Sequence, residues 1–304
     1  MTAVLSIKNL SKSFGNNKVI DDVSFDVPEG SVFGFIGANG AGKTTTMKMV
    51  LGLMPADNGE IHVCDEKVSF GATKTNRHVG YLPDVPEFYG YMRSLEYLEL
   101  CGQVAGLDNA KIKRRSQELL KLVGLDGVNK KISGFSRGMK QRLGVAQALL
   151  GEPRLLICDE PTSALDPIGR KEILDILSQI KGRTTVVFST HILSDVERVC
   201  DRVAVIDKGR IALIGTLAEL KARHKSDSIL VEFATRADKK RFLAEASDLI
   251  KNAEQADLEV TLRTDDMAAT QITIMRILTQ KKILPLKLEI IEPSIESLFL
   301  EVAK

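Results

Sequence analysis

Hydrophobic positions change rhythm three times along the chain. At the start, apolar residues alternate with polar ones at Leu5/Ile7 and at Val23/Phe25/Val27. The runs are broken by Gly15-Asn16-Asn17 and Pro28-Glu29-Gly30. A period of two with turn residues between predicts short antiparallel strands. From Ser31 to Ile36 the run is continuously apolar, then come a glycine-rich loop and a helical pattern through about Leu53. Residues 87–150 are mostly helical in spacing. Arg154–Cys158 reads as a buried strand, 168–181 as a helix and Thr184–Phe188 as another strand. Strands alternating with helices imply a parallel sheet covered on both faces. The tail returns to alternation at Ile229/Val231/Phe233, Leu258/Val260/Leu262 and Leu286/Leu288/Ile290, with helical stretches at about 236–251 and 266–281. Pro293 suits the first turn of a last helix. The tail thus predicts a small α+β unit, without a catalytic cluster.

Glycine sharpens the boundary. All 23 glycines lie at or before Gly215, and residues 216–304 contain none. Glycine permits tight turns and close backbone approach to a ligand, so the phosphate-handling part is expected in 1–220 and an accessory domain in 221–304. A length of 304 residues fits about two domains. The net charge of +2 gives no sign of a nucleic-acid partner. Apolar runs are far shorter than the roughly 20 residues of a membrane span. Cys64, Cys101, Cys158 and Cys200 form no C-x-x-C pair, so neither a disulfide framework nor a zinc site is signalled. A soluble, reduced, cytoplasmic chain is the expectation.

Chemistry enters at Gly37-Ala38-Asn39-Gly40-Ala41-Gly42-Lys43-Thr44, followed by Thr45. This matches G-x-x-x-x-G-K-[ST], a phosphate loop whose backbone N–H groups and following helix N-terminus cradle anions. Lys43 is expected to reach the β- and γ-phosphates, and the Thr44 hydroxyl to hold Mg²⁺. Downstream, Leu155-Leu156-Ile157-Cys158 ends in Asp159-Glu160. Asp159 fits support of the metal and Glu160 fits a base that polarises an attacking water. Together these indicate a nucleoside triphosphatase.

Three further segments narrow the reading. Phe135-Ser136-Arg137-Gly138-Met139-Lys140-Gln141-Arg142, Ser163-Ala164-Leu165-Asp166 and Thr190-His191 occur in that order. They resemble the signature, D-loop and switch histidine of ATP-binding cassette (ABC) ATPases across about residues 3–215. The resemblance implies an α/β P-loop core with an antiparallel β subdomain and a helical subdomain at about 87–150. It also implies two cassettes paired head to tail, each ATP lying between one phosphate loop and the partner's signature. Ser136 and the backbone of Gly138 would then cap the γ-phosphate, Asp166 would lie at the same interface, and His191 would touch the γ-phosphate from the loop's own side. Phe14 occupies the adenine-stacking position; the alternative is a half-buried strand residue.

The sequence departs from the family pattern at Arg137 and Met139, and at Asp84, which stands in Gly80-Tyr81-Leu82-Pro83-Asp84 where the family carries a glutamine facing Mg²⁺. Acidic residues there, the S-[KR]-G-M-K-Q-R pattern and the ending Ser294–Leu300 resemble the drug-, antibiotic- and sodium-type exporters. That branch implies a separate integral membrane subunit, a homodimer or cassette heterodimer, and a peripheral place on the inner face of the membrane. Tyr81, Tyr89, Tyr91 and Tyr97, with Phe88, fall where the membrane subunit would dock; packing of the helical subdomain is the alternative. His62, His78 and His224 are expected at the surface. A rival is a soluble ABC protein of DNA repair or translation, which would carry a coiled-coil insertion or a second cassette. This sequence has neither.

Overall fold

The computed structural model describes residues 2–72, 74–223, 228–246 and 253–291. Packing divides the chain close to residue 217, into Met1–Leu217 and Ala218–Val302.

In the first unit, β1 (Ala3–Phe14) and β2 (Asn17–Pro28) form the expected antiparallel pair. They join β4 (Asn58–Val63) and the two-residue β5 (Glu66–Lys67) in a sheet of order β2-β1-β4-β5. The central sheet contains β3 (Val32–Ile36), β6 (Val79–Leu82), β7 (Leu155–Asp159), β8 (Thr185–Thr190), β9 (Arg202–Asp207) and β10 (Arg210–Thr216), in the order β10-β9-β3-β8-β7-β6. All neighbours in it run parallel except β10, which pairs antiparallel with β9. Every residue of β3, β7 and β8 is buried, which is why their centres read as continuous rather than alternating apolar runs.

Helix α1 (Lys43–Val50) contributes Met47, Met49 and Val50 to a core shared by both sheets, where Phe25 stacks on Phe33 at 5.4 Å. It ends three residues before the expected Leu53 because Gly52, at φ +68°, turns the chain. Helices α2 (Ser94–Val104), α3 (Asn109–Leu122) and α4 (Arg137–Leu149) fill the helical region, with the Tyr97 hydroxyl donating to Gln147 Oε1 at 3.0 Å. Helices α5 (Pro167–Ile180) and α6 (Leu193–Val199) follow β7 and β8. Helix α7 (Leu217–Arg223) starts at the division, and from Ala218 onward it is counted in the second unit.

The second unit has its own sheet of order β12-β13-β11-β14, entirely antiparallel: β11 (Ser228–Phe233), β12 (Ala253–Gln255), β13 (Glu259–Arg263) and β14 (Pro285–Ile291). Helices α8 (Arg236–Glu245) and α9 (Met267–Gln280) supply Phe242 and Ile274 to a core with Ile229, Val231, Phe233, Val260 and Leu262. His224, Pro293 and the segment Ser294–Leu300 lie outside the described residues.

Candidate functional site

The phosphate-loop motif joins the end of β3 to the start of α1. Gly40 and Gly42 adopt φ +82° and +109°, conformations that L side chains rarely take. A Cβ on Gly42 would also lie 2.3 Å from Ile20 Cδ1 and 3.1 Å from the Val19 carbonyl. The start of β2 is therefore packed directly against the loop. The same hairpin carries Phe14, which pairs with Asn17, leaves about half its surface exposed and has Lys12 Nζ 5.6 Å above its ring.

Lys43 is buried beneath the loop and donates to the Gly37 and Ala38 carbonyls at 2.7 and 3.2 Å. Its Nζ also lies 3.2 Å from Glu160 Oε1. Thr44, the next residue of α1, is exposed, Thr45 is half-buried, and Ala41 folds back onto the Ala38 carbonyl. The Asn39 side of the loop is exposed.

Asp159 ends β7 directly opposite Ser189 of β8. The Ser189 hydroxyl donates to Asp159 Oδ1 at 2.5 Å and accepts from the Glu160 backbone N–H at 3.1 Å. That second bond, with one from Glu160 N–H to the Ser189 carbonyl, holds Glu160 at φ +47°. A non-glycine residue in this region is strained by about 1–3 kcal/mol and is held only by firm surroundings. Glu160 Oε2 lies 3.0 Å from His191 Nδ1, so Lys43, Glu160 and His191 form one row. Ser189 was not singled out from the sequence. Its signal is the cross-strand register with Asp159, which no spacing along one chain reveals.

The signature and D-loop meet elsewhere. Ser136 caps α4 by accepting from Met139 N–H at 3.2 Å, and Asp166 caps α5 by accepting from Gly169 N–H at 3.1 Å. Both helix starts, with Gly138, line a cavity of about 300 Å³. Helix N-termini facing a shared cavity suit an anionic ligand. Ser136, Gly138 and Asp166 are thus brought to one another, with no direct contact to the phosphate loop among the described bonds.

Asp84 lies 3.7 Å from Arg137, so two departures from the family pattern face each other. Burial pushes the Asp84 carboxyl above its ordinary range; Arg137 opposes this, while Asp159 and Glu160 add to it. The tyrosines divide between the two readings. Tyr97 is buried edge-on to Phe88 at 5.1 Å, and Tyr81 is half-buried in β6 with its hydroxyl pushed up to about 12 by burial and by Asp159. Tyr89 and Tyr91 are 55% and 70% exposed. His62 and His78 are half-buried rather than at the open surface; His78 Nε2 accepts from Arg77.

For a divalent metal, the Thr44 hydroxyl and the Asp159 carboxylate are hard oxygen donors. No group of three or more His, Cys, Asp or Glu side chains among the described residues could form a closed metal cage. Glu160 Oε1 is buried, and its 3.2 Å approach to Lys43 Nζ is an ion pair without an aligned hydrogen bond. One hydroxyl and one carboxylate beside a phosphate loop fit Mg²⁺, which keeps several waters and shares substrate phosphates.

A glycine-cradled lysine leading a helix, set against two carboxylates two strands away in a parallel sheet, defines a P-loop nucleoside triphosphatase. Comparison with known proteins resolves the family. Residues 20–163 match the ABC transporter family, and residues 215–303 match the C-terminal domain of DrrA1-3-like ATP-binding proteins. The linearmycin resistance ATP-binding protein LnrL of Bacillus subtilis is 33% identical over 98% of this chain and 98% of its own. The bacitracin transport ATP-binding protein BcrA of Bacillus licheniformis is 39% identical over 74% of each chain. A solved ATP-binding subunit of an ABC transporter superposes with a TM-score of 0.65 at 34% identity, covering 72% of this chain and 92% of that one. The chain belongs to the ABC transporter family, as its ATP-binding and ATP-hydrolysing subunit. No described helix is long and apolar enough to cross a membrane.

Proposed function

We propose that this subunit binds MgATP, pairs head to tail with a second cassette, hydrolyses ATP to ADP and phosphate, and drives a separate membrane subunit that exports a compound. The observation that carries the reading is the row Lys43–Glu160–His191 at the mouth of the phosphate loop. Lys43 and the loop N–H groups neutralise and orient the β- and γ-phosphates. Thr44 and Asp159 would hold Mg²⁺, which would supply charge neutralisation to the phosphates. Glu160 accepts the proton of a water whose oxygen forms the new bond to the γ-phosphorus, as the bond to the β–γ bridging oxygen breaks. His191 orients Glu160 through the 3.0 Å contact, and the family resemblance sets it against the γ-phosphate. Phe14 stacks on the adenine; any base offers such a face, so it adds little selectivity.

The signature supports dimerisation. Ser136 and Gly138 line their own cavity with Asp166, away from the loop of the same chain, so a second cassette would bring them to the phosphate. That cassette is a second copy or a different chain. Exposed Tyr89 and Tyr91 suit docking of the membrane subunit, since aromatic residues are enriched at interfaces. The likeness to a linearmycin resistance and a bacitracin transport ATP-binding protein supports export as the direction of transport. The working place is then the inner face of the cell membrane, and no nucleic acid takes part. Asp84 belongs to this reading as a further oxygen donor facing Mg²⁺ or its water, with Arg137 beside it.

The test is Lys43→Ala. Removing the cation beneath the loop abolishes tight MgATP binding in an equilibrium titration. Binding at the affinity of the unaltered chain would overturn the assignment of the loop.

A further inference from the structure

One buried carboxylate outside the Lys43–Glu160–His191 row stands at a three-way junction. Asp195 lies on α6, four residues beyond His191, and is only 2% exposed. Its Oδ2 accepts from the Thr162 hydroxyl at 2.7 Å, and its Oδ1 accepts from Arg170 Nε at 2.5 Å. Arg170 also donates from its second nitrogen to Ser194 Oγ at 2.8 Å. Thr162 is itself buried and sits two residues beyond Glu160. Arg170 lies on the first turns of α5, four residues beyond Asp166.

From this geometry we propose that Asp195 is a positioning residue for hydrolysis. It locks the segment leaving Glu160, the helix start behind Asp166 and the segment leaving His191 into one alignment. The proposal rests on the reading of Glu160 and His191 given above.

Energetics favour this role over mere support. A buried carboxylate is costly unless paired and hydrogen-bonded, and an apolar group of similar volume is often as stabilising or more so. What an apolar contact lacks is direction. The two oxygens of Asp195 bond to separate segments, so a shift of either breaks a specific bond. The Glu160–His191 contact spans the same two connections, β7 to α5 and β8 to α6. A carboxylate behind that contact fixes the distance across which it acts. Misplacing a catalytic group by about 1 Å costs on the order of 10²-fold in rate.

Two variants of the full chain test the idea, with ATP turnover, MgATP binding and thermal unfolding read on each. Asp195→Asn replaces one accepting oxygen by a donor that faces Thr162 or Arg170. Thr162→Val removes the hydroxyl at nearly constant shape, and Thr162→Ser restores it. The expected result is a fall in kcat of about 10–100-fold for Asp195→Asn and a smaller fall for Thr162→Val, with KM within about two-fold and turnover recovered in Thr162→Ser. Combined with His191→Ala, Asp195→Asn costs little further rate, because both act on one alignment. Wild-type kcat in a folded Thr162→Val, or multiplicative losses with His191→Ala, overturns the proposal. Should Asp195→Asn fail to fold, the threonine pair still decides. Glu160→Gln is measured alongside. Full turnover there sinks the site reading itself and the proposal with it, whereas loss there with full turnover in Thr162→Val sinks the role of Asp195 alone.

Discussion

Lys43 serves two partners. Its ammonium lies against two loop carbonyls and 3.2 Å from Glu160 Oε1, so a γ-phosphate must compete with a carboxylate for the same cation. Glu160→Gln removes the competing charge and the basicity while keeping the shape. Turnover falls by about 10²–10⁴-fold, the usual contribution of a general base, while MgATP binds at least as tightly as to the unaltered chain. Single-turnover hydrolysis and an equilibrium titration check the two halves; weaker binding would show that the Lys43 contact does not compete. Lys43 and Glu160 were legible in the sequence from the loop motif and from an apolar strand ending in two carboxylates, whereas His191 was legible only through the resemblance to ABC ATPases. Ser189 and Asp195 were not legible. Each acts on a residue about 30 positions away through register or helix packing, and a lone serine or aspartate in such a segment carries no pattern of its own. The Arg137–Asp84 pairing was hidden for the same reason, although each residue was visible as a departure.

Elements meet here through missing side chains. A Cβ on Gly80 of β6 would lie 2.1 Å from the Ala148 carbonyl of α4, and one on Gly144 of α4 would lie 2.6 Å from Leu82 Cδ1 of β6. The signature helix is thereby pressed onto the strand that leads to Asp84. Gly80→Ala forces the backbone of α4 outward and costs about 1–3 kcal/mol, the usual range for overpacking. Calorimetric unfolding measures it; an unchanged midpoint would mean that α4 slides freely on β6. Type and order of most elements followed from rhythm alone, since fully buried parallel strands and alternating edge strands differ in period. The short pieces β5, β6 and β12 and helices α6 and α7 escaped because they are too brief to show a period, and the longer strands β4, β9 and β10 escaped as well. Helix α8 ends at Glu245, short of the expected 251, where residues 247–252 lie outside the described chain.

At the scale of the molecule, two cores share the chain. The second contains Ile229, Val231, Phe233 and Phe242, with the two phenylalanine rings 5.2 Å apart, and takes nothing from the central sheet. A chain ended after Arg223 keeps β10, the last strand of the central sheet, and the whole of α7. It therefore folds and binds MgATP with unaltered affinity. Loss of both, seen by circular dichroism and titration, would show that the tail completes the first unit. The strand order of the central sheet has a consequence in time. Strand β3, which delivers the phosphate loop, is flanked on one side by β8 and on the other by β9. Its partners lie about 150 residues downstream, so a ribosome adding about 5–20 residues per second leaves both edges of β3 unpaired for roughly 8–30 seconds. The nucleotide pocket is thus among the earliest segments synthesised and among the last assembled. Nascent chains halted before β8 emerges carry the complete phosphate-loop motif with neither sheet neighbour of β3 to hold it.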